Sequence, residues 1–175
     1  PYTRHPVLIA ETIATIDEVS KGRSILALGT GVIPLVQQMG IKVEKPLQTM
    51  RESVELIRRL LAEKETTYRG SVMQVEKVRF GANPYFDLVG RLKPLRRSIP
   101  IYLAAMRPRM MQLAGATGDG VLLSAGSSVP YVKYAVENLK IGARRANRNP
   151  CEIDVGCYIA CATSKKRSSG KIIRG

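Results

Sequence analysis

The chain has 175 residues, 45% of them hydrophobic, which suits one domain with a sizeable core, and no apolar run approaches the roughly 20 residues of a membrane span. A net charge of +14 raises the question of a nucleic-acid partner, but the charge is spread along helices and gathered at the tail, aromatic residues make up 5%, and Trp is absent. Neither nucleic acid nor membrane is expected as a partner, and the charge suits a small ligand rich in phosphate and carboxylate.

The first residue is Pro1 rather than Met, as in a processed, trimmed or partial chain, and no charged-then-apolar leader is visible. Residues 6–20 are predicted as a helix, with Val7, Ala10, Ile13, Ala14 and Asp17 at helical spacing. His5, the single histidine, stands just before Pro6 and reads as a lead-in to that helix. Gly22 ends the helix region, and residues 24–28 form a short apolar run bounded by glycines, the pattern of a strand buried on both faces. Gly29-Thr30-Gly31 then turns sharply. Pro46 fits the first turn of the clearest helix, in which Leu47, Met50, Val54, Ile57 and Leu61 recur while Arg51, Glu55, Arg58 and Arg59 take other faces.

Residues 66–80 alternate around a turn glycine, as a small hairpin does. Residues 81–98, rich in Gly, Pro and Arg, are expected to form a loop or lid. Strands are predicted at 99–104, 120–124 and 153–163, and helices at 108–117 and 131–147, the former with Met110, Leu113 and Ala114 inward. Alternation with short connections implies parallel strands with right-handed crossovers. Four such strands and four helices make either a partial barrel or a smaller open α/β sheet, since a closed eight-stranded barrel takes about 250 residues. Residues 165–175 read as a basic tail, frayed or non-native. Three cysteines, Cys151, Cys157 and Cys161, are an odd number without CxxC spacing. They suggest neither a zinc site nor a disulfide framework, and are expected as small buried thiols in a reducing cytoplasm.

Three strand-to-helix turns carry the possible chemistry. Gly29-Thr30-Gly31 lacks the third glycine of a dinucleotide fingerprint, so it reads as a tight turn at a barrel rim, or as glycines that admit a flat ring close to the backbone. Ala104-Ala105-Met106-Arg107 leads into a helix whose first turn offers backbone N–H groups and a positive dipole end. Ser124-Ala125-Gly126-Ser127-Ser128 is a second candidate phosphate cradle, or a Ser-rich helix cap. Asp17, Asp119 and Asp154 are expected to be structural. No HExxH, P-loop or GxSxG occurs, no metal site is expected, and no catalytic residue is assigned.

Several segments occur in a familiar order: Tyr2-Thr3-Arg4-His5-Pro6, Ile16-Asp17-Glu18-Val19-Ser20-Lys21-Gly22-Arg23, Ala27-Leu28-Gly29-Thr30-Gly31, Met39-Gly40-Ile41, Lys45-Pro46-Leu47 and Met50-Arg51-Glu52. Pro100-Ile101-Tyr102-Leu103-Ala104-Ala105, Leu113-Ala114-Gly115 and Gly118-Asp119-Gly120-Val121-Leu122-Leu123 follow. Over about residues 1–164 the chain resembles the luciferase-like superfamily, and within it the F420-dependent methylenetetrahydromethanopterin reductase group. The resemblance implies a partial (β/α)8 TIM barrel as one incomplete domain over 1–164, running from near the end of the third strand to near the seventh. The family's cis peptide would lie just before Pro1.

The resemblance further implies an oxidoreductase that transfers hydride between coenzyme F420 and a small electrophilic substrate, as a cytoplasmic protein and a homodimer. The deazaflavin ring would lie near Gly29, Thr30, Gly31, Ala104 and Ala105. The phosphate would be held by Ala105, Met106 and Arg107 together with Ser124, Gly126 and Ser127. Some relatives have Gly-Gly where Met106-Arg107 stands, and some have a carboxylate and an amide where Val32 and Leu35 stand. The resemblance therefore supplies no catalytic acid here. Two alternatives stay open: an FMN-dependent monooxygenase of the same fold, and a catalytically incompetent fragment that at most binds an anionic ligand.

Overall fold

The computed structural model describes residues 1–63, 65–79 and 94–161. Helix α1 (Pro6–Val19) is followed by β1 (Leu26–Leu28), α2 (Ile33–Gln38) and α3 (Pro46–Ala62). The hairpin β2 (Thr66–Arg69) and β3 (Gln74–Val78) comes next. Then come β4 (Ile101–Ala104), α4 (Pro108–Thr117), β5 (Gly120–Leu123), α5 (Val129–Arg145), a 3-10 turn (Pro150–Glu152) and β6 (Asp154–Cys157).

Four strands form one parallel sheet in the order β1-β4-β5-β6, and β2 pairs antiparallel with β3 in a separate ribbon. Each step across the main sheet goes the same way, so its crossovers share one hand. Helix α1 packs on α3, α3 on α4 and α4 on α5, which makes a single helical layer. Strand residues facing that layer are apolar and enclosed: Leu28, Ile101, Leu103, Val121 and Leu123 are each 3% exposed or less. The alternating residues face away from it, with Ala27 and Ala104 exposed and Tyr102 and Leu122 half-buried. The sheet is thus the arc of a barrel wall, helices outside and an open concave side within, as in the partial barrel predicted above.

Helix α3 supplies much of the core through Met50, Val54, Leu56, Ile57 and Leu60, all at 2% exposure or less. It also buries Glu52, whose carboxylate accepts from Gln48 Nε2, from the Ser71 amide and hydroxyl, and from the amides of Val72 and Met73. The hairpin turn is thereby closed onto the helix by a carboxylate that satisfies its orphan amides. Asp17 performs a similar role on α1, accepting from Ser24 and from Arg96. These two are structural anchors.

Several expectations need correction. Helix α2 was not anticipated, since six residues containing Pro34 are too few to show a period. The described residues therefore hold five α-helices rather than four. The last strand ends at Cys157, short of the predicted 163. The cysteines are not buried: Cys151, Cys157 and Cys161 are all exposed, because β6 is the sheet edge and Cys161 lies beyond it. The 81–93 part of the expected lid and the basic tail at 165–175 lie outside the described residues.

Candidate cofactor site

Parallel pairing sets the ends of the strands level. Leu28 stands opposite Leu103, Ala104 opposite Leu122, and Leu123 opposite Cys157. The turns after β1, β4 and β5 therefore emerge side by side along one rim, the C-terminal edge where ligands bind in sheets of this kind.

Along this rim, Gly29 lies against Ala104: a Cβ at Gly29 would stand 3.2 Å from the Ala104 Cβ, tighter than ordinary packing. Gly31 has φ +76° and packs over Val36 of α2. Thr30 is half-buried between them. The turn lets backbone line the rim where side chains would fill it, the shape needed by a flat ring.

Beside it, the Ala105 amide donates to the Leu122 carbonyl at 3.3 Å, carrying the β4–β5 pairing one residue past the strand. Ala105 is 1% exposed, whereas Met106 is 65% exposed and Arg107 points into solvent. Arg107 is the N-cap of α4 without a side-chain cap, so the amides of the first turn rely on other acceptors. In the neighbouring turn, Ser127 Oγ donates to the Ser124 carbonyl at 2.7 Å, and Ser128 caps α5 by accepting from the Tyr131 amide. Gly126 has φ +80°, and a Cβ there would meet nothing within 4 Å, so glycine is required by the turn and not by crowding. All ten predicted site residues lie on this one rim. Cationic Arg107, two helix N-termini and a pair of serines give the Arg107 and Ser124 side a positive, hydrogen-bonding character suited to phosphate.

Below the rim, α4 and α5 pack closely on one another. A Cβ at Gly115 would stand 2.1 Å from the Leu139 carbonyl oxygen, and one at Gly142 1.9 Å from that of Gln112. Gln112 Nε2 donates to Asn138 Oδ1, and Arg148 donates to the Gly115 and Gly118 carbonyls. Sequence reasoning missed this seam, although a glycine inside a helix costs about 1 kcal/mol against Ala and so asks for a packing reason.

The remaining candidates sit elsewhere. His5 caps α1, its Nδ1 accepting from the Val7 amide at 3.3 Å, as its position before Pro6 suggested. Asp119 accepts from the Ile101 amide and from Arg58, pinning the starts of β4 and β5 to α3. Tyr102 reaches across Gly120 on the concave side to donate to Asp154, a link that was also missed. A shallow groove of about 280 Å³ runs along the free edge of β1 between Ile9, Ile13, Leu26 and Gly29, and opens onto the rim. Among the described residues no cluster of His, Cys, Asp or Glu could hold a metal ion, and no helix is long and apolar enough to cross a membrane.

Known proteins are similar to this chain in sequence and in shape. A family model for luciferase-like monooxygenase matches residues 1–169. The 5,10-methylenetetrahydromethanopterin reductase of Methanolobus tindarius is 35% identical over 171 residues, which is 98% of this chain and 48% of that protein. The protein of the same name from Archaeoglobus fulgidus matches with the same identity and shares. The solved structure of the coenzyme F420-dependent tetrahydromethanopterin reductase from Methanopyrus kandleri superposes with a TM-score of 0.77 at 30% identity, covering 90% of this chain and 47% of that one. The chain spans about half the length of the curated relatives it matches.

Proposed function

Because this chain belongs to the luciferase-like monooxygenase family, we propose that it binds coenzyme F420 and acts as an F420-dependent oxidoreductase similar to the methylenetetrahydromethanopterin reductases. The observation that carries this reading is the single rim on which a glycine-lined turn meets two phosphate-type turns. When bound, the deazaflavin supplies or accepts the hydride exchanged with an electrophilic carbon of a small substrate.

In this reading Gly29, Thr30, Gly31, Ala104 and Ala105 hold the ring side, where small residues and exposed backbone admit a flat group. Met106, Arg107, Ser124, Gly126 and Ser127 hold the phosphate side. Arg107 opposes the phosphate charge, and the helix N-termini add to that field without reorganising. The net charge of +14 favours an anionic cofactor over the whole surface. Exposed apolar Leu8, Ile16 and Val19 on α1 support a homodimer. Exposed free thiols suit the reducing cytoplasm.

The test is a side-by-side fluorescence titration of the chain with coenzyme F420 and with FMN. The expected result is tighter binding of F420, weakened by Arg107→Ala and by Ser124→Ala. Tighter FMN binding would instead favour a flavin monooxygenase. Binding of neither would leave the chain incompetent as it stands.

A further inference from the structure

The turns after β4 and β5 are distant in sequence, yet one side chain joins them. The Tyr131 hydroxyl, in the first turn of α5, donates to the Met106 carbonyl at 2.8 Å. Tyr131 is itself held in place. Its amide donates to Ser128 Oγ and its ring packs on the core. The ion pairs among the described residues lie away from the rim, on α3, on the hairpin, beneath β1 and along α5.

This bond constrains a particular peptide plane. The Met106 carbonyl and the Arg107 amide belong to one trans peptide unit, so they point opposite ways. Pinning the carbonyl toward Tyr131 aims the Arg107 N–H away from it, and it also fixes the start of α4. The Tyr131 proton is committed to Met106, so the side chain acts through the turn.

We infer that Tyr131 is a positioning residue of the cofactor site, which locks the turn at Ala105, Met106 and Arg107 against the turn at Ser124, Gly126 and Ser127 so that both address one phosphate. The inference rests on the deazaflavin reading above. It assigns a function to a residue outside both turns, and it makes the phosphate side of the site a single unit.

The experiment compares two ligands on the full chain: coenzyme F420, and the same deazaflavin carrying its ribityl chain but no phosphodiester tail. Tyr131→Phe keeps the ring and its packing and removes one hydrogen bond. Tyr134→Phe is the control, with its side chain 47% exposed and outside the rim. Tyr131→Phe is expected to weaken F420 binding roughly three- to tenfold, the range for one lost neutral hydrogen bond, while the tail-less ligand changes less than about twofold. Tyr134→Phe should leave both unchanged. Equal weakening of the two ligands would overturn the inference, because a general disturbance does not distinguish the tail. Unchanged F420 binding in Tyr131→Phe would overturn it too, with the functional reading intact. Failure of the unmodified chain to bind either ligand would overturn the functional reading, and this inference with it.

Discussion

Arg96 closes on Asp17 across 79 positions of sequence, its Nε donating to Asp17 Oδ2 at 3.0 Å while its Nη2 also reaches the Ser24 carbonyl. Asp17 is fully enclosed, so the pair ties α1 to the segment that leads into β4. Arg96→Leu would leave that carboxylate buried with only Ser24 as partner. Removing one partner of a buried pair costs roughly 3–5 kcal/mol. The Arg96 side chain is 31% exposed, which screens the interaction. The expected loss is therefore about 2–3 kcal/mol, read from urea unfolding. A change below about 0.5 kcal/mol would show that Arg96 contributes as an ordinary surface charge.

Two anchors also predict how stability depends on pH. The Arg96 guanidinium, with help from Ser24 and against burial, holds the Asp17 carboxyl down to about 2 from its usual 3.8. Burial pushes Glu52 up, but the bonds from Gln48, Ser71, Val72 and Met73 outweigh it and hold the carboxyl at about 2 from 4.5. In both cases the unfolded chain takes up its proton first as pH falls. Their stabilisation is complete above about pH 4.5 and declines as pH drops toward about 2. Urea midpoints across that window should fall steadily, and Glu52→Gln should be less stable at neutral pH with a shallower fall. Identical slopes in the two proteins would exclude Glu52 as an origin.

Gly142 sets the approach of α4 to α5. Gly142→Ala places a methyl group where only 1.9 Å separates it from the Gln112 carbonyl oxygen, so the helices must part. A loss of about 1–3 kcal/mol is expected from overpacking, despite the better helix propensity of Ala. Helices α4 and α5 begin at the two turns proposed to hold phosphate, so a shift of one against the other reaches that site. F420 affinity should therefore drop in Gly142→Ala, whereas an exposed helical control such as Lys133→Ala should leave it unchanged. A stable variant with unaltered melting would mean that the seam opens without cost.

Tyr102 donates to Asp154 across the Gly120 backbone, and a Cβ at Gly120 would stand 2.8 Å from the Tyr102 ring. The hydrogen bond to Asp154, reinforced by burial, pushes the Tyr102 phenol up to about 12. A raised value means that the folded chain keeps this proton longer than the unfolded one. The contribution is whole below about pH 10 and is lost as pH rises toward about 12. Burial also pushes the Tyr68 and Tyr131 phenols up, so ultraviolet titration should show several late-ionising phenols and one fewer in Tyr102→Phe. The same variant should lose about 0.5–1.5 kcal/mol at neutral pH. An unchanged titration would show that Tyr102 is not among the late-ionising phenols.

Local patterns along the chain were enough to read the alternation of elements and the place of the rim. Helix 108–117 stands where periodicity put it. Strands at 26–28, 101–104 and 120–123 fall within the apolar runs read between turn residues. These are local signals, because period, turn chemistry and strand-to-helix order depend on near neighbours and suffice to place the ends of parallel strands together. The family resemblance then named the turns that meet there.

What each side chain touches follows from long-range packing. Asp17 sat among the apolar positions of α1 in the sequence, but nothing there pointed to Arg96. Glu52 is buried only because a hairpin turn distant in sequence folds over it. The cysteines looked buried because an apolar strand suggests a covered one, and the edge position of β6 exposed them. Tyr131 and Gly142 gained their roles from an α5 packed closely on α4. Such contacts join residues tens of positions apart, and their energies depend on burial and approach distance, which a linear pattern does not encode.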